Sequence, residues 1–236
     1  MNILIVIAHP ERWSFSGALL DTAARALEAS GHIVVVSDLY RMGFNPVADR
    51  RNFLTMKDPD YLKLQVEEAH ASEHNGFAPE IGAEIRKIEA CDLMILLFPL
   101  WWFGLPAILK GWVDRVLAMG RTYGYGKWYQ TGTFRGKRAL LSFTTGGPEE
   151  FYRKGGLFGD ISAIVHPIHR GILQFVGFEV LGPQIHYAAG RADEATRKAW
   201  LADWEKRLHS IAHESPIEIE SYHCYSQNQS RPGCRP

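Results

Sequence analysis

The sequence predicts an α/β fold, a doubly wound five-stranded parallel sheet with helices on both faces. Three observations carry that prediction. Short apolar runs rich in β-branched residues alternate with longer stretches of helical periodicity through residues 1–211. The runs are apolar throughout rather than every second residue, as in strands covered on both faces. Each run also gives way to turn residues and then a helix, the pattern of right-handed β-α-β crossovers.

The elements follow in order. Residues 3–8, "ILIVIA", read as the first strand. Phe15, Leu19, Ala23 and Leu27 then recur at i, i+4, with Ser14 or Ser16 as N-cap and Gly31 as the stop. Residues 33–36 form the second strand, closed by Ser37 and Asp38. Ile81, Ile85 and Ile88 mark one face of a helix over 79–90. Residues 93–98 are the third strand, and 106–117 the helix after it, with proline in its first turn. Residues 139–143 are the fourth strand. A helical pattern over 161–176 contains Pro167, which marks a kink or boundary. The fifth strand is read at 179–181 and 184–187, interrupted by Gly182 and Pro183. A last helix over 193–211 carries Trp200, Trp204 and Leu208 on one side.

Two segments fall outside the alternation. Residues 41–78 form an excursion too long for an idle loop in a compact domain. Residues 212–236 are polar and weakly patterned, so the domain is drawn at 1–211 and the tail is expected to be extended or partly disordered.

Composition narrows the function. Of the 236 residues, 46% are hydrophobic, enough for a sizeable core. Lys plus Arg equals Asp plus Glu at 26 each, so no basic excess exists to hold a nucleic-acid backbone. Three cysteines without a C-x-x-C argue against a disulfide framework and suit a reducing, cytoplasmic setting. The N-terminal apolar run has no basic segment before it and reads as a strand rather than a signal peptide. Residues 93–109 lack charge but fall short of the ~20 residues a span needs. Pro99, Gly104 and Pro106 interrupt them, and no membrane insertion is expected.

Ligands of an open parallel sheet bind beyond the carboxyl ends of its strands, and three of those ends are unusual here. After the first strand, "AHPERWSFSG" leads into a helix N-terminus, whose free N–H groups and dipole suit a phosphate. Simple capping by Ser14 or Ser16 explains the same residues. Neither G-x-G-x-x-G nor a Walker glycine-lysine is present. After the third strand comes "PLWWFG", whose rings cost a few kcal/mol each if left in water. A dimer interface, a loop folded onto the core, and a wall for a flat aromatic ligand all account for it. After the fourth strand, "TTGG" can bring backbone donors close to a ligand edge, because glycine lacks the blocking Cβ. A phosphate pocket, an aromatic wall and a row of donors on one rim are what a flavin requires.

On these residues the chain resembles the NAD(P)H:quinone oxidoreductases of the DT-diaphorase type, which have a flavodoxin-like fold. The matching words are "AHPERWSFSGAL", "SDLYRMGFNP", "FPLWWFGLPAILKGWVDRV", "FTTGG", "PIHRGILQFVGFEVLGPQ" and "WEKRLHSI". The resemblance implies FAD, with phosphates near His9, Ser14, Phe15 and Ser16. It implies an isoalloxazine against Pro99, Leu100, Trp101, Trp102 and Phe103, with Thr144, Thr145, Gly146, Gly147 and Tyr152 at its polar edge. Arg197 matches a position toward the adenine end. A homodimer with shared active sites is implied, Tyr123, Tyr125 and Phe175 reaching the partner's substrate pocket beside Trp102 and Phe103. The implied reaction is two-electron hydride transfer from NAD(P)H through FAD to a quinone, by a ping-pong scheme.

The chain departs from the family in one place. Tyr152 matches the tyrosine of a Tyr–His pair beside the flavin carbonyl, but the histidine position holds Phe158. Tyr152 is therefore expected to act with the backbone N–H groups of Gly146 and Gly147 alone. Some relatives carry a metal held by histidines and a cysteine. The pairs His166/His169 and His209/His213 have helical spacing but do not align with that pattern, and no metal is expected. Rival readings are a flavodoxin-like electron carrier, a regulatory subunit of a potassium-efflux system, and an azo- or nitroreductase.

Overall fold

The computed structural model describes residues 1–218 and the backbone of 225–226 and 229–230. The chain runs β1 (Asn2–Ile7), α1 (Phe15–Ala29), β2 (Ile33–Asp38), α2 (Leu64–His74), α3 (Pro79–Ala90), β3 (Leu93–Pro99) and α4 (Ala107–Val116). It continues with β4 (Arg138–Thr144), α5 (Ile161–Ile168), β5 (Glu179–Val180), β6 (Gln184–His186) and α6 (Glu194–Ser210). The strands lie parallel in the order β2-β1-β3-β4-β5, and β6 pairs with the upper half of β4. The expected fifth strand is thus one position filled by two short pieces, split where Gly182 and Pro183 stand.

Alternation along the strands divides the core in two. Ile3, Ile5, Ile95, Leu97 and Leu140 face α1 and α6, against Leu19, Leu27, Trp204 and Leu208. Leu4, Val6, Met94, Leu96 and Leu141 face the other way, against Ile81, Ile85, Ile88 and Trp112. All seven residues of β3 are buried, which explains their continuous apolar character. Between β1 and β3 the order reverses, so the segments leaving these neighbours diverge to opposite faces and open a crevice at the carboxyl rim.

The excursion at 41–78 contains a helix that periodicity does not announce. The buried residues of α2 are Glu67, Glu68 and Ala71. Glu67 accepts from the N–H groups of Lys57 (2.6 Å) and Asp58 (3.0 Å). Glu68 accepts from Met119 N at 2.8 Å and from the Tyr123 hydroxyl at 3.4 Å. From α4, the buried Arg115 donates to Asn52 Oδ1 (2.7 Å) and the Asn45 carbonyl (2.6 Å), with its guanidinium over Phe44. Buried charge with partners, rather than apolar contact alone, anchors this segment to the sheet.

Helix α5 stops one residue after Pro167, and residues His169–Gln174 continue as a π-helical stretch. Beyond α6, Arg207 holds Glu214 (2.6 Å), and Ile217 N donates to Val180 O at 2.8 Å, so the chain follows the sheet edge at least that far. Most of the expected tail at 212–236 lies outside the described residues, apart from an antiparallel pairing of Tyr225–Ser226 with Gln229–Ser230. No helix among the described residues is long and apolar enough to cross a membrane.

Candidate active site

The β1–α1 turn is drawn tight before it enters α1. Ser14 caps the helix, its Oγ accepting from Gly17 N at 3.2 Å. A Cβ on Gly17 would stand 1.9 Å from the Arg12 carbonyl oxygen, so only glycine allows the turn to close. Ser14 thus caps the helix through a lone pair, which leaves its O–H able to donate, and the N–H groups of Phe15 and Ser16 have no acceptor among the described residues. Arg12 is paired with Asp21 and does not face the turn as a free cation. His9 is held by Glu11, whose N–H donates to Nδ1 at 3.0 Å; burial lowers its pKa and keeps it neutral. The Phe15 ring turns inward, 5.2 Å from His186 and 5.7 Å from Trp200.

After β3 the expected loop stands out from the core. Pro99 pairs with Thr144, and buried Leu100 donates its N–H to the Thr144 carbonyl at 2.8 Å. Beyond that anchor Trp102 is 97% exposed, with Trp101 and Phe103 about half exposed. Trp102 and Phe103 have φ of +50° and +59°, a left-handed backbone that costs side-chain-bearing residues about 1–2 kcal/mol each. Gly104 N closes the turn on Trp101 O at 3.0 Å. Strain and exposed aromatic surface coincide at these residues, which points to a ligand or partner outside the chain.

The loop after β4 faces it. Thr145 is occupied internally: its hydroxyl donates to Gly147 O (2.8 Å) and accepts from Ala188 N (3.3 Å). Arg191 Nη2 holds the Gly146 carbonyl at 2.8 Å. The N–H groups of Gly146 and Gly147 find no acceptor among the described residues. A Cβ on Gly146 would point into open space, whereas one on Gly147 would meet the ring of Phe158 at 2.8 Å and that of Tyr152 at 3.1 Å. Buried Tyr152 lies 5.2 Å from Phe158 and 6.4 Å from Phe103, so rings from two loops join. Phe158 is also 5.6 Å from Phe103. Phe158 thus joins the cluster through ring packing on Phe103 and Tyr152.

Not every expected residue joins this rim. Tyr123 and Phe175 form a second cluster, rings 5.8 Å apart, with Tyr129 against Phe175 at 5.5 Å. Tyr123 and Phe175 make no ring contact or hydrogen bond with Tyr152 or Phe103 among the described residues. Helix α4 carries the chain back along the sheet before Tyr123, which explains the separation. Tyr125 is 92% exposed. Arg197 sits in the first turns of α6 with Nη2 3.5 Å from Gly190 O and a buried Nε that has no partner.

The structure adds residues that sequence reasoning missed. His186 at the end of β6, and Tyr187, Ala188 and Arg191 after it, brace the Thr145–Gly147 loop or its aromatic cluster. The short polar strand "QIH" is their only local signal. Among the described residues no group of three or more His, Cys, Asp or Glu side chains could hold a metal. Of the two histidine pairs, His209 bonds to Ser30 at 2.9 Å, and His169 is buried with its pKa lowered to about 4 by desolvation.

Residues 1–208 match a family described by its flavodoxin-like fold. NAD(P)H dehydrogenase [quinone] 1 of Rattus norvegicus is 46% identical over 215 residues, spanning 91% of this chain and 78% of the relative. Ribosyldihydronicotinamide dehydrogenase [quinone] of Pongo abelii is 42% identical, over 96% of this chain and 98% of the relative. A crystal structure of a Klebsiella pneumoniae protein assigned as a quinone reductase superposes with a TM-score of 0.90 at 34% identity, covering 98% of this chain and 94% of that one.

Proposed function

The chain belongs to the NAD(P)H:quinone oxidoreductase family with the flavodoxin-like fold, and from that premise we propose that it works through bound FAD as a homodimer with shared active sites. Its reaction is NAD(P)H:quinone oxidoreduction. When bound, a flavin would supply the two-electron chemistry by which hydride passes from NAD(P)H to the quinone.

The observation that carries this reading is the pairing of the strained aromatic loop at Trp101–Phe103 with the acceptor-free N–H groups of Gly146 and Gly147. Those donors suit the carbonyl edge of an isoalloxazine, and glycine leaves room for it at 146. His9 and the N–H groups of Phe15 and Ser16 serve the phosphates. Arg197, with a buried unpaired Nε, serves the adenine end. Pro99 and Leu100 fix the loop to β4, while Trp102 and Phe103 bound the pocket above it. Tyr152 stands beside the ring edge, and with Phe158 unable to donate or titrate, negative charge there is eased by Tyr152 and the two glycine N–H groups.

The dimer is supported by large rings that one chain leaves exposed. Trp102 and Tyr125 are almost fully exposed, and a second chain laid against them would cover both rings and bring the neighbouring Tyr123–Phe175 pair toward a shared pocket. A cytoplasmic location belongs to the same proposal. Purified protein is expected to be yellow, to release FAD on denaturation and to sediment as a dimer. It is expected to give parallel double-reciprocal lines with NADH or NADPH against a quinone. Release of FMN would correct the cofactor, and a colourless protein that takes up no flavin would overturn the flavin reading.

A further inference from the structure

Helix α2 closes on two residues that its geometry favours and that chemistry makes labile as a pair. Asn75, directly after His74, has φ +53° and ψ +36°. Asparagine tolerates this left-handed conformation better than most residues that carry a side chain. Gly76 follows, and its N–H turns back to the Ala71 carbonyl at 2.8 Å, the 6→1 bond of a Schellman cap. A Cβ on Gly76 would stand 3.2 Å from Ala71 Cα, a tight contact that glycine avoids. The Gly76 carbonyl in turn accepts from Leu54 N at 2.7 Å, beside the bridge between Phe53 and Phe77. The cap thus ties α2 to the rest of the 41–78 excursion.

Asn75 is the one asparagine of the chain that precedes a glycine, and it is exposed. With no Cβ beside it, the glycine amide nitrogen can reach the carbonyl carbon of the preceding side chain. Gly76 N gives up its proton to solvent base and bonds to Asn75 Cγ, while the Cγ–Nδ2 bond breaks and ammonia leaves. The product is a five-membered imide. Water then opens one of its two acyl C–N bonds, leaving aspartate or isoaspartate at position 75. One water is consumed and one ammonia released, with no oxidation or reduction.

The closed cap blocks both requirements of that attack. Gly76 is buried and its N–H is held by Ala71, so solvent base does not reach the proton. Ring closure also needs rotation about the Asn75 Cα–C bond, and the hydrogen bonds on either side of Gly76 hold that angle. We propose that Asn75–Gly76 is a deamidation site controlled by the α2 cap, inert while the cap is closed and converted in chains whose excursion has opened. Isoaspartate adds a methylene to the main chain, so the bonds to Ala71 and Leu54 cannot both re-form. Conversion therefore marks an opened chain irreversibly. Glu68 on the same helix holds Met119 N at 2.8 Å, so the loosening reaches the loop that carries Tyr123. The step needs no flavin, and its test stands apart from the flavin reading.

The test ages the full chain at neutral pH, folded and in unfolding urea. Mass spectrometry and isoaspartate-specific methylation follow the peptide that contains residue 75. Conversion should be at least about tenfold slower in the folded protein, with hydrogen exchange at Gly76 N–H protected to a matching degree. Chains aged in urea are then refolded and sorted by modification. The isoaspartate fraction should unfold at lower urea than unmodified chains from the same sample, or fail to refold. Asn75→Asp keeps a residue suited to the left-handed position and should retain the wild-type midpoint. Equal rates in folded and unfolded chains would overturn control by the cap. An isoaspartate fraction as stable as the wild type would overturn its consequence, and no conversion even in urea would overturn the site.

Discussion

Two polar regions of this molecule are built on opposite terms. In the excursion at 41–78, Glu67, Glu68 and Arg115 are buried and each is met by oriented partners, leaving Asn52 Nδ2 as the one orphan among them. At the rim, the N–H groups of Gly146 and Gly147 have none and Trp102 stands in solvent, while behind it the buried His186 Nδ1 and Arg197 Nε also have none. A closed network specifies structure, because every group it buries is satisfied within the chain. An open one specifies a ligand, because the chain supplies only half of each interaction. The difference separates a scaffold from a site even though both break the rule of polar outside and apolar inside.

The largest effect should come from opening the closed network. Arg115→Met would strand the Asn45 carbonyl and Asn52 Oδ1, both of which Arg115 now satisfies at 2.6–2.7 Å. Losing buried partners of this kind should cost about 3 kcal/mol, read as a lower urea midpoint at unchanged slope. Quinone reduction per folded molecule should be unaffected. A loss below about 1 kcal/mol would mean the excursion is held by its apolar contacts instead.

The two regions should also carry opposite pH signatures. Burial holds His186 near pKa 4, against 6.5 unfolded, so the unfolded chain takes up a proton first as pH falls. The stability this group contributes is complete above pH 6.5 and is lost toward pH 4, by about 2 kcal/mol between pH 7 and pH 5. Glu68 has a raised pKa, chiefly from burial, so its contribution is present below its unfolded value and fades as pH rises through the folded one. Urea midpoints at pH 5 and 7 for the wild type, His186→Phe and Glu68→Gln should change slope in opposite directions. Parallel curves for all three proteins would remove the distinction.

The same division marks what the sequence discloses. Strands and helices whose buried faces are apolar are readable residue by residue, including the break at Pro167 and the split fifth strand. Helix α2 is not, because its inward face is Glu67, Glu68 and Ala71, and no hydrophobic period exists to find. The three rim loops stand out for rings and glycines in unusual places. The bracing by His186, Arg191, Gln184 and Arg207 is silent, since contacts between α6 and β6 or between Arg191 and Gly146 have no fixed spacing along the chain. Thr145 shows the converse: its place in the motif marks the loop, while its hydroxyl is spent on Gly147 and Ala188.

The smallest effect isolates the open region. Trp102 has φ +50° and is 97% exposed, so it gives the isolated chain neither packing nor a relaxed backbone. Trp102→Gly removes the Cβ penalty of the left-handed conformation but also loosens the unfolded chain. The two changes oppose each other, and stability should move by less than about 1 kcal/mol in either direction. What the ring does for a ligand or a second chain has no such compensation. The KM for quinone, or the dimer dissociation constant, should rise several-fold while the urea midpoint stays in place. Both quantities belong in one comparison, because a variant that lost stability and binding together would show that Trp102 packs against its own chain. Binding lost with stability kept would show that the strain at Trp102 is maintained for something the chain does not itself contain.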